Sequence, residues 1–529
     1  MTKRSFYIHC IDIMSRRLYH AGDSNDIHEE CRQHCYDCLL VELKRLLHTE
    51  LSGLGAGVSV ALLATAVNNA GISSRVAADT TAIELAVRLI TRATSKSDDE
   101  IFHRKLYDYL YSDHKDLLVS ITSKFIEKYL MEKDQVGTEL YKYYNLHNMH
   151  SKAVQLKREC AEYDGDCPLA DRIENLIDAV TSARRAVIIA GERNVDSESV
   201  ESEMLRRVED LLEIAELQQL VLSELIMLLD EYSSGGELND GQNQSKRWLE
   251  DDIKNIENKL IVTDDLFNLA QKYNLWGLCL QIFQVCKFDN MDWIQKLWLS
   301  EIYKIVPNSS SDHNVQRKLE MKYRNSLLRS DNGLFFEVDC KSWKNMLVNR
   351  IVNLGGKLRA PILHNSAGNN SVWEGFSPVL PLIFLVEELE DLASIISYSL
   401  RPDRSERAWV ANCFRKTGYS HYSLIEAYIE VIERLAQGKH EEIRLHLLWS
   451  VSYLIKEWTA LGRGFNASQT NEVRQLISVA KSGKLKTWLD SIKSRSDGLP
   501  ITSDKNIKDE IMCDIEEAEY RRSILLMDA

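Results

Sequence analysis

Apolar residues recur at three- and four-residue intervals along almost the whole chain, the spacing that keeps them on one face of an α-helix. Leu424, Ile425, Tyr428, Ile429, Ile432 and Leu435 make one such stripe, and Ile443, Leu447, Val451, Leu454 and Trp458 make the next. Gln437-Gly438-Lys439 between them predicts a C-cap and turn, because glycine enters the left-handed conformation without a steric penalty. The two stripes therefore read as an αα-hairpin. A similar pair runs from Leu106, Tyr107 and Leu110 through Ser112-Asp113-His114 into Leu118, Ile121, Phe125 and Tyr129. Thr81 with Glu84, Asp171 with Glu174 and Ser423 with Glu426 fit capping boxes at helix starts. Alternating strands separated by Asn-Gly or Asp-Gly turns are not found. The pattern predicts an all-α chain.

Composition sharpens that picture. The 529 residues include only 7 prolines and 23 glycines, where average usage is about 5% and 7%. Helices and loops of ordinary length would give on the order of 25 helices, more than one core of about 250–300 residues accommodates. An irregular α-helical solenoid of stacked helix hairpins is the expected architecture, each hairpin burying a face on its neighbours. It is irregular because no repeat of tetratricopeptide or ankyrin type can be read. The polar run Ser233–Ser245 predicts a flexible loop, dividing the solenoid into residues 1–232, a loop at 233–246, and residues 247–529. Shorter breaks are expected at Arg193–Ser202, Pro307–His313, His364–Ser371 and Ser494–Asp504. Met204, Val208, Leu211, Ala215, Leu222, Leu225 and Leu229 follow helical spacing with Gln218 interrupting, which fits a long packed helix or a short coiled coil.

The formal net charge is −14, from 65 basic and 79 acidic residues, so neutralising nucleic-acid phosphate is no whole-chain purpose. Eleven cysteines are too sparse for a disulfide scaffold and suit a reducing compartment. Met1–Tyr19 lacks the apolar core of a signal peptide, and the apolar stretch Gly55–Val67 falls short of the roughly 20 residues a membrane span needs. A soluble intracellular chain is expected.

Candidate chemistry is thin. Cys31, Cys35 and Cys38 have the C-x3-C-x2-C spacing that holds an iron–sulfur cluster in radical enzymes using S-adenosylmethionine, with Gly235-Gly236-Glu237 superficially extending the match. Tyr36 follows the second cysteine instead of preceding the third, and His28–His48 reads as helix, where i, i+4 and i+7 share a face and cysteine packs as a small hydrophobe. The alternating strands of that enzyme barrel are also missing. His440-Glu441-Glu442-Ile443-Arg444 begins like a zinc-protease helix but carries Arg444 at the second ligand position. His147 and His150 lack an obvious third ligand. Gly53, Gly55 and Gly57 have no preceding strand, and Gly356-Lys357, Gly438-Lys439 and Gly483-Lys484 lack the Ser or Thr of a phosphate loop. No catalytic, cofactor or metal site is expected.

Basic clusters at Lys341–Arg359 and Lys481–Arg495 read as solvated helix faces or local contacts to an acidic partner. Trp276, Leu280 and Phe283 share a helical face that either packs in the core or lines a groove for a partner peptide.

Several helical stretches in order carry a family resemblance. They are Glu100–Tyr111, Phe125–Leu130, the hairpin-like Leu140–Val154, Arg172–Arg184, Val208–Gln218, Asp265–Leu280 and Gln295–Tyr303. This order is similar to the C-terminal half of the large inner-ring scaffold nucleoporins, the 155/170-kilodalton nucleoporin family, over most of residues 100–460. The resemblance implies an α-solenoid following an N-terminal β-propeller. The propeller has no counterpart here, so a C-terminal piece is expected. It further implies a non-enzymatic scaffold of the nuclear pore inner ring at the nuclear envelope, supporting pore assembly and nucleocytoplasmic transport. Implied partners are short linear segments of linker nucleoporins, other large scaffold nucleoporins, pore-membrane proteins indirectly, and chromatin for some members. The alternative from helicity and acidity alone is a karyopherin-like transport receptor or a coat-type adaptor.

Overall fold

The computed structural model describes residues 99–306 (except 135–136, 164, 166, 193–199 and 235–239), 343–358, 378–397, 408–435 and 441–460, and isolated positions in 33–45, 90–95 and 317–327. Among these residues every regular element is an α-helix. In chain order they are α1 (Glu100–Asp113), α2 (Lys115–Ser120), α3 (Ile126–Lys133), α4 (Thr138–Leu146), α5 (His150–Glu162), α6 (Leu169–Glu192), α7 (Val200–Ser234) and α8 (Asp240–Asn258). There follow α9 (Thr263–Lys272), α10 (Trp276–Val285), α11 (Met291–Ile305), α12 (Trp343–Lys357), α13 (Leu382–Ser397), α14 (Trp409–Lys416), α15 (His421–Leu435) and α16 (Glu441–Ala460). Helices adjacent in sequence pack on one another, α5 on α6, α10 on α11 and α15 on α16, which is the α-solenoid the periodicity predicts. Among the described residues no helix is long and apolar enough to cross a membrane.

The chain divides into two compact units, one of Met1–Leu222 with Leu229–Ile261, the other of Ser223–Leu228 with Val262–Ala529. The expected loop at 233–246 is helical through Ser234 and again from Asp240. Trp248, Leu249, Ile253 and Ile256 supply α8 with apolar positions at helical spacing that outweigh the polar Asp-Gly-Gln-Asn start.

In the first unit, Asp99 caps α1 by accepting the Ile101 amide at 3.0 Å, and Asp134 accepts the Glu139 and Leu140 amides at 2.6 and 3.0 Å to cap α4. The second helix expected after Asp113 is split into α2 and α3. Ile121 turns extended (φ −80°, ψ 133°) and Ser123 Oγ meets the Phe125 amide at 3.5 Å, so hydroxyl side chains compete with the ladder there. Asp171 lies in the first turn of α6, not before it; Pro168 precedes the helix. The core is rich in aromatic rings: His103, almost wholly buried, shares a hydrogen bond with Tyr107 Oη at 2.9 Å and packs on Phe102 and Phe125. Arg172 is 1% exposed, and its guanidinium donates to the carbonyls of Ala161, Gly165, Cys167 and Asn258 at 2.6–3.0 Å. It ties the ends of α5 and α8 to α6. Gln218, the interruption in the α7 stripe, is fully buried and hydrogen-bonded to the backbone in the last turn of α8 and just past it.

In the second unit, polar groups in the core and at its edge meet in pairs. Trp298 Nε1 donates to the Val379 carbonyl at 2.8 Å, Tyr303 Oη to Glu388 at 2.5 Å, and Arg350 Nε to Glu301 at 2.5 Å. Tyr428 and Ser450 both donate to Glu390, and burial beside that carboxylate pushes the Tyr428 hydroxyl well above its usual range. Gly277 lets α12 approach α10 closely, since a Cβ there would meet Leu354 Cδ2 at 3.0 Å and Arg350 Nη2 at 3.1 Å. The α15 start differs from expectation: the helix begins at His421, and Ser420 Oγ accepts the Ser423 amide at 3.0 Å, so the cap is three residues earlier.

Four connections in the two units end in one device. Asn148, Asn274, Lys287 and Gly418 take positive φ (55°, 56°, 52° and 97°), and each amide returns to the carbonyl three residues back. The next residue's amide reaches five residues back: Met149 to Tyr144, Leu275 to Ala270, Phe288 to Phe283, and Tyr419 to Phe414. These are Schellman closures, and at two of them the ring that follows, Phe288 or Tyr419, packs back on Phe283 or Phe414 of its own helix.

Candidate functional site

Within the second unit, α9, α10 and the start of α11 enclose a cleft of about 390 Å³. Thr263, Asp264, Phe267 and Asn268 come from α9, Ile282, Phe283 and Cys286 from α10 and its cap, and Phe288 and Trp293 from the chain into α11. Local sequence explains the walls. Lys287 in the left-handed conformation turns the chain so that Phe288 returns onto Phe283, with ring centroids 4.2 Å apart. Phe267 stacks on the same ring at 4.9 Å with an interplanar angle of 11°. Asn290 caps α11 by accepting the Trp293 amide at 3.4 Å, which fixes the backbone of an indole left 38% exposed. Lys296 lies over the Trp293 ring at 5.8 Å.

The Cys286 thiol is raised by burial, with a Thr263 hydrogen bond acting in the opposite sense, so it is not primed as a nucleophile. The cleft offers aromatic surface and a few polar groups, which suits binding an apolar side chain.

Of the three residues singled out from the sequence, Phe283 lines this cleft. Leu280 and Trp276 are buried behind it, one and two helical turns back along α10 respectively, and the Trp276 indole nitrogen has no hydrogen-bond partner among the described residues. Phe267, Phe288 and Trp293 were not singled out. The aromatic content around one turn signal, Phe-Asp-Asn-Met-Asp-Trp at 288–293, is the cue that would have found two of them.

The other motifs resolve plainly. Cys38 is helical with Sγ 3.9 Å from His34 Nε2, while Cys31 and Cys35 lie outside the described residues, as do Gly53–Gly57, His440, Lys481–Arg495 and side-chain detail at Trp458. His147 donates Nε2 to the Val119 carbonyl at 3.0 Å and packs on Tyr143, and His150 meets Asn145 Oδ1 at 3.3 Å; burial lowers both imidazoles. Among the described residues no three His, Cys, Asp or Glu side chains are grouped as metal ligands.

The family model for the non-repetitive/WGA-negative nucleoporin C-terminal region matches residues 1–335. The chain belongs to this nucleoporin family. Family membership gives the nucleoporin its place at the nuclear pore complex. Its fold is similar to that of solved Chaetomium thermophilum structures. The Nup170 CTD matches at 17% identity and a TM-score of 0.56, over 97% of this chain and 83% of that one. The Nup170 CTD–Nup145N complex matches at 17% identity and a TM-score of 0.54, over 95% and 82%. The longer Nup170 SOL matches at 16% identity and a TM-score of 0.50, over 99% and 67%. No curated protein shows significant sequence similarity to the chain. The nucleoporin's collinear resemblance to the 155/170-kilodalton type thus agrees with both its family and its fold. Family and fold are those of structural scaffolds.

Proposed function

We propose that this nucleoporin is a non-enzymatic scaffold component of the pore's inner ring that works by holding extended segments of linker nucleoporins. The observation that carries the proposal is the nucleoporin match over residues 1–335 on a fold shared with a Nup170 CTD solved together with Nup145N. A helical solenoid offers a long surface on which an extended peptide can dock through apolar anchors. Ordering such a segment costs free energy, so the anchors must supply most of the affinity. Phe283, with Trp276 and Leu280 supporting it from within α10, belongs to the surface proposed to receive one anchor. Through these contacts the chain supports pore assembly and nucleocytoplasmic transport, alongside other large scaffold nucleoporins, with pore-membrane proteins reached indirectly and chromatin as a further contact.

The test is calorimetric titration of the chain with segments tiling the disordered linker nucleoporins of the same organism. One-to-one binding by a short segment supports the scaffold. No binding to any segment, together with measurable affinity for the GTP-loaded nuclear GTPase, replaces it with a transport receptor.

A further inference from the structure

The rim of the aromatic cleft carries charge that its own helices do not use up. Asp264 lines the cleft; Asp265, Asp289 and Asp292 each adjoin a lining residue in sequence. All four are exposed, and none has an ion-pair partner among the described residues. Carboxylates in a first helical turn commonly complement the helix dipole, so the bland account must be weighed by magnitude. The N-termini of α9 and α11 contribute about half a positive charge each and the C-terminus of α10 about half a negative one. Among the described residues, Lys287, which adjoins Phe288 in sequence, and Lys296, which lies over Trp293, bring positive charge to the cleft. The four carboxylates still leave the rim negative by one to two charges. Much of the lining, by contrast, is aromatic: Phe267, Phe283, Phe288 and Trp293 border a cleft of about 390 Å³, ample for a large side chain.

We infer that this cleft is the docking site for an extended peptide carrying one aromatic or large aliphatic anchor flanked by lysine or arginine. This rests on the scaffold reading and names the chemistry of the segment bound. The anchor enters between Phe267 and Trp293 and packs on Phe283; the flanking cations lie against Asp264 and Asp292. An acidic segment is rejected, because its charges would meet unpaired carboxylates at short range.

The probe is a random-sequence peptide library displayed on phage, selected on the whole chain. The selected peptides are then measured as synthetic peptides against the unaltered chain, Trp293→Ala, Phe267→Ala and the charge variant Asp264→Asn with Asp292→Asn. The inference expects selected peptides to share an apolar anchor with basic neighbours. It expects about tenfold or greater weakening by Trp293→Ala or Phe267→Ala, as for a central aromatic contact. The charge variant should weaken binding severalfold at low salt and little at high salt. Trp293 is surface-exposed and the Asp→Asn changes are isosteric, so these variants keep the test decisive if Phe267→Ala disturbs folding. Selection of acidic peptides, of nothing, or of peptides indifferent to all the variants overturns the inference. Linker segments that bind indifferently to Trp293→Ala would overturn it too while leaving the scaffold reading intact. Failure of every linker segment beside successful library selection would sink the scaffold reading alone.

Discussion

Gln218 and Ile261 are joined by a hydrogen bond from the Ile261 amide to the buried Gln218 side-chain oxygen, at 3.1 Å. The Gln218 side-chain nitrogen, Nε2, donates to the carbonyls of Ile256 and Lys259 at 2.7 and 2.6 Å. One polar side chain in an otherwise apolar stripe thus satisfies three backbone groups at the C-terminal end of α8, where helices leave carbonyls without partners. Gln218→Leu keeps the volume and removes every one of these bonds. It should destabilise the first unit by about 2–4 kcal/mol, because each buried group left unpaired costs about 1–3 kcal/mol and the site can relax in part. Hydrogen exchange at the Ile261 amide is the local readout; unchanged protection there would contradict the assignment.

Arg172 fills a comparable role with charge. Its buried guanidinium faces backbone carbonyls from four residues. Arg172→Lys cannot span them, since an ammonium lacks the planar fork. The lysine variant should lose about 2–3 kcal/mol, seen as a lower melting temperature with faster exchange at the ends of α5 and α8. A variant as stable as the parent would show that the carbonyls find other partners.

Lys287 holds φ at 52°, a conformation that is unfavourable for a side chain with a Cβ. Lys287→Gly should therefore stabilise the second unit by about 0.5–1 kcal/mol. Asn274 and Asn148 tolerate the same geometry better, so glycine there should gain less. Thermal unfolding of the three variants side by side measures the order.

His421 gives a pH dependence of defined sign. Burial and the Arg415 guanidinium hold its imidazole down to about 4, against a weaker opposing pull from Glu457 at 4.0 Å. The unfolded chain takes up a proton near the ordinary 6.5. Between those values the unfolded state binds more protons, so stability falls as pH drops from about 6.5 towards about 4. The loss attributable to this group should be about 1–2 kcal/mol after allowing for its partial exposure. His421→Gln should flatten that part of the profile; parallel melting curves for variant and parent between pH 7 and pH 4 would refute the assignment.

How much was legible follows from what each signal encodes. The stripes at 424–435 and 443–454 named their helices because a buried face must recur with the helical period, and Leu424, Ile425, Tyr428, Ile432, Leu447, Val451 and Leu454 are indeed buried. Helix ends were less legible. Ser420 and Ser423 are both competent caps, and only packing chooses between them. Three of the four Schellman closures use Asn or Lys where a glycine would have announced the turn. The cleft was half visible: Trp276, Leu280 and Phe283 do share a face, but periodicity cannot say which part of a face a neighbouring helix covers. The walls come from residues after the turn at Lys287, whose return onto α10 is a tertiary fact.

The most direct test of the central claim is exchange of the tagged full-length protein at the nuclear envelope of living cells, followed by fluorescence recovery after photobleaching. A scaffold held by many linker contacts predicts rim fluorescence that does not recover while the pores persist. Rapid recovery, on the timescale of a shuttling receptor, would contradict it.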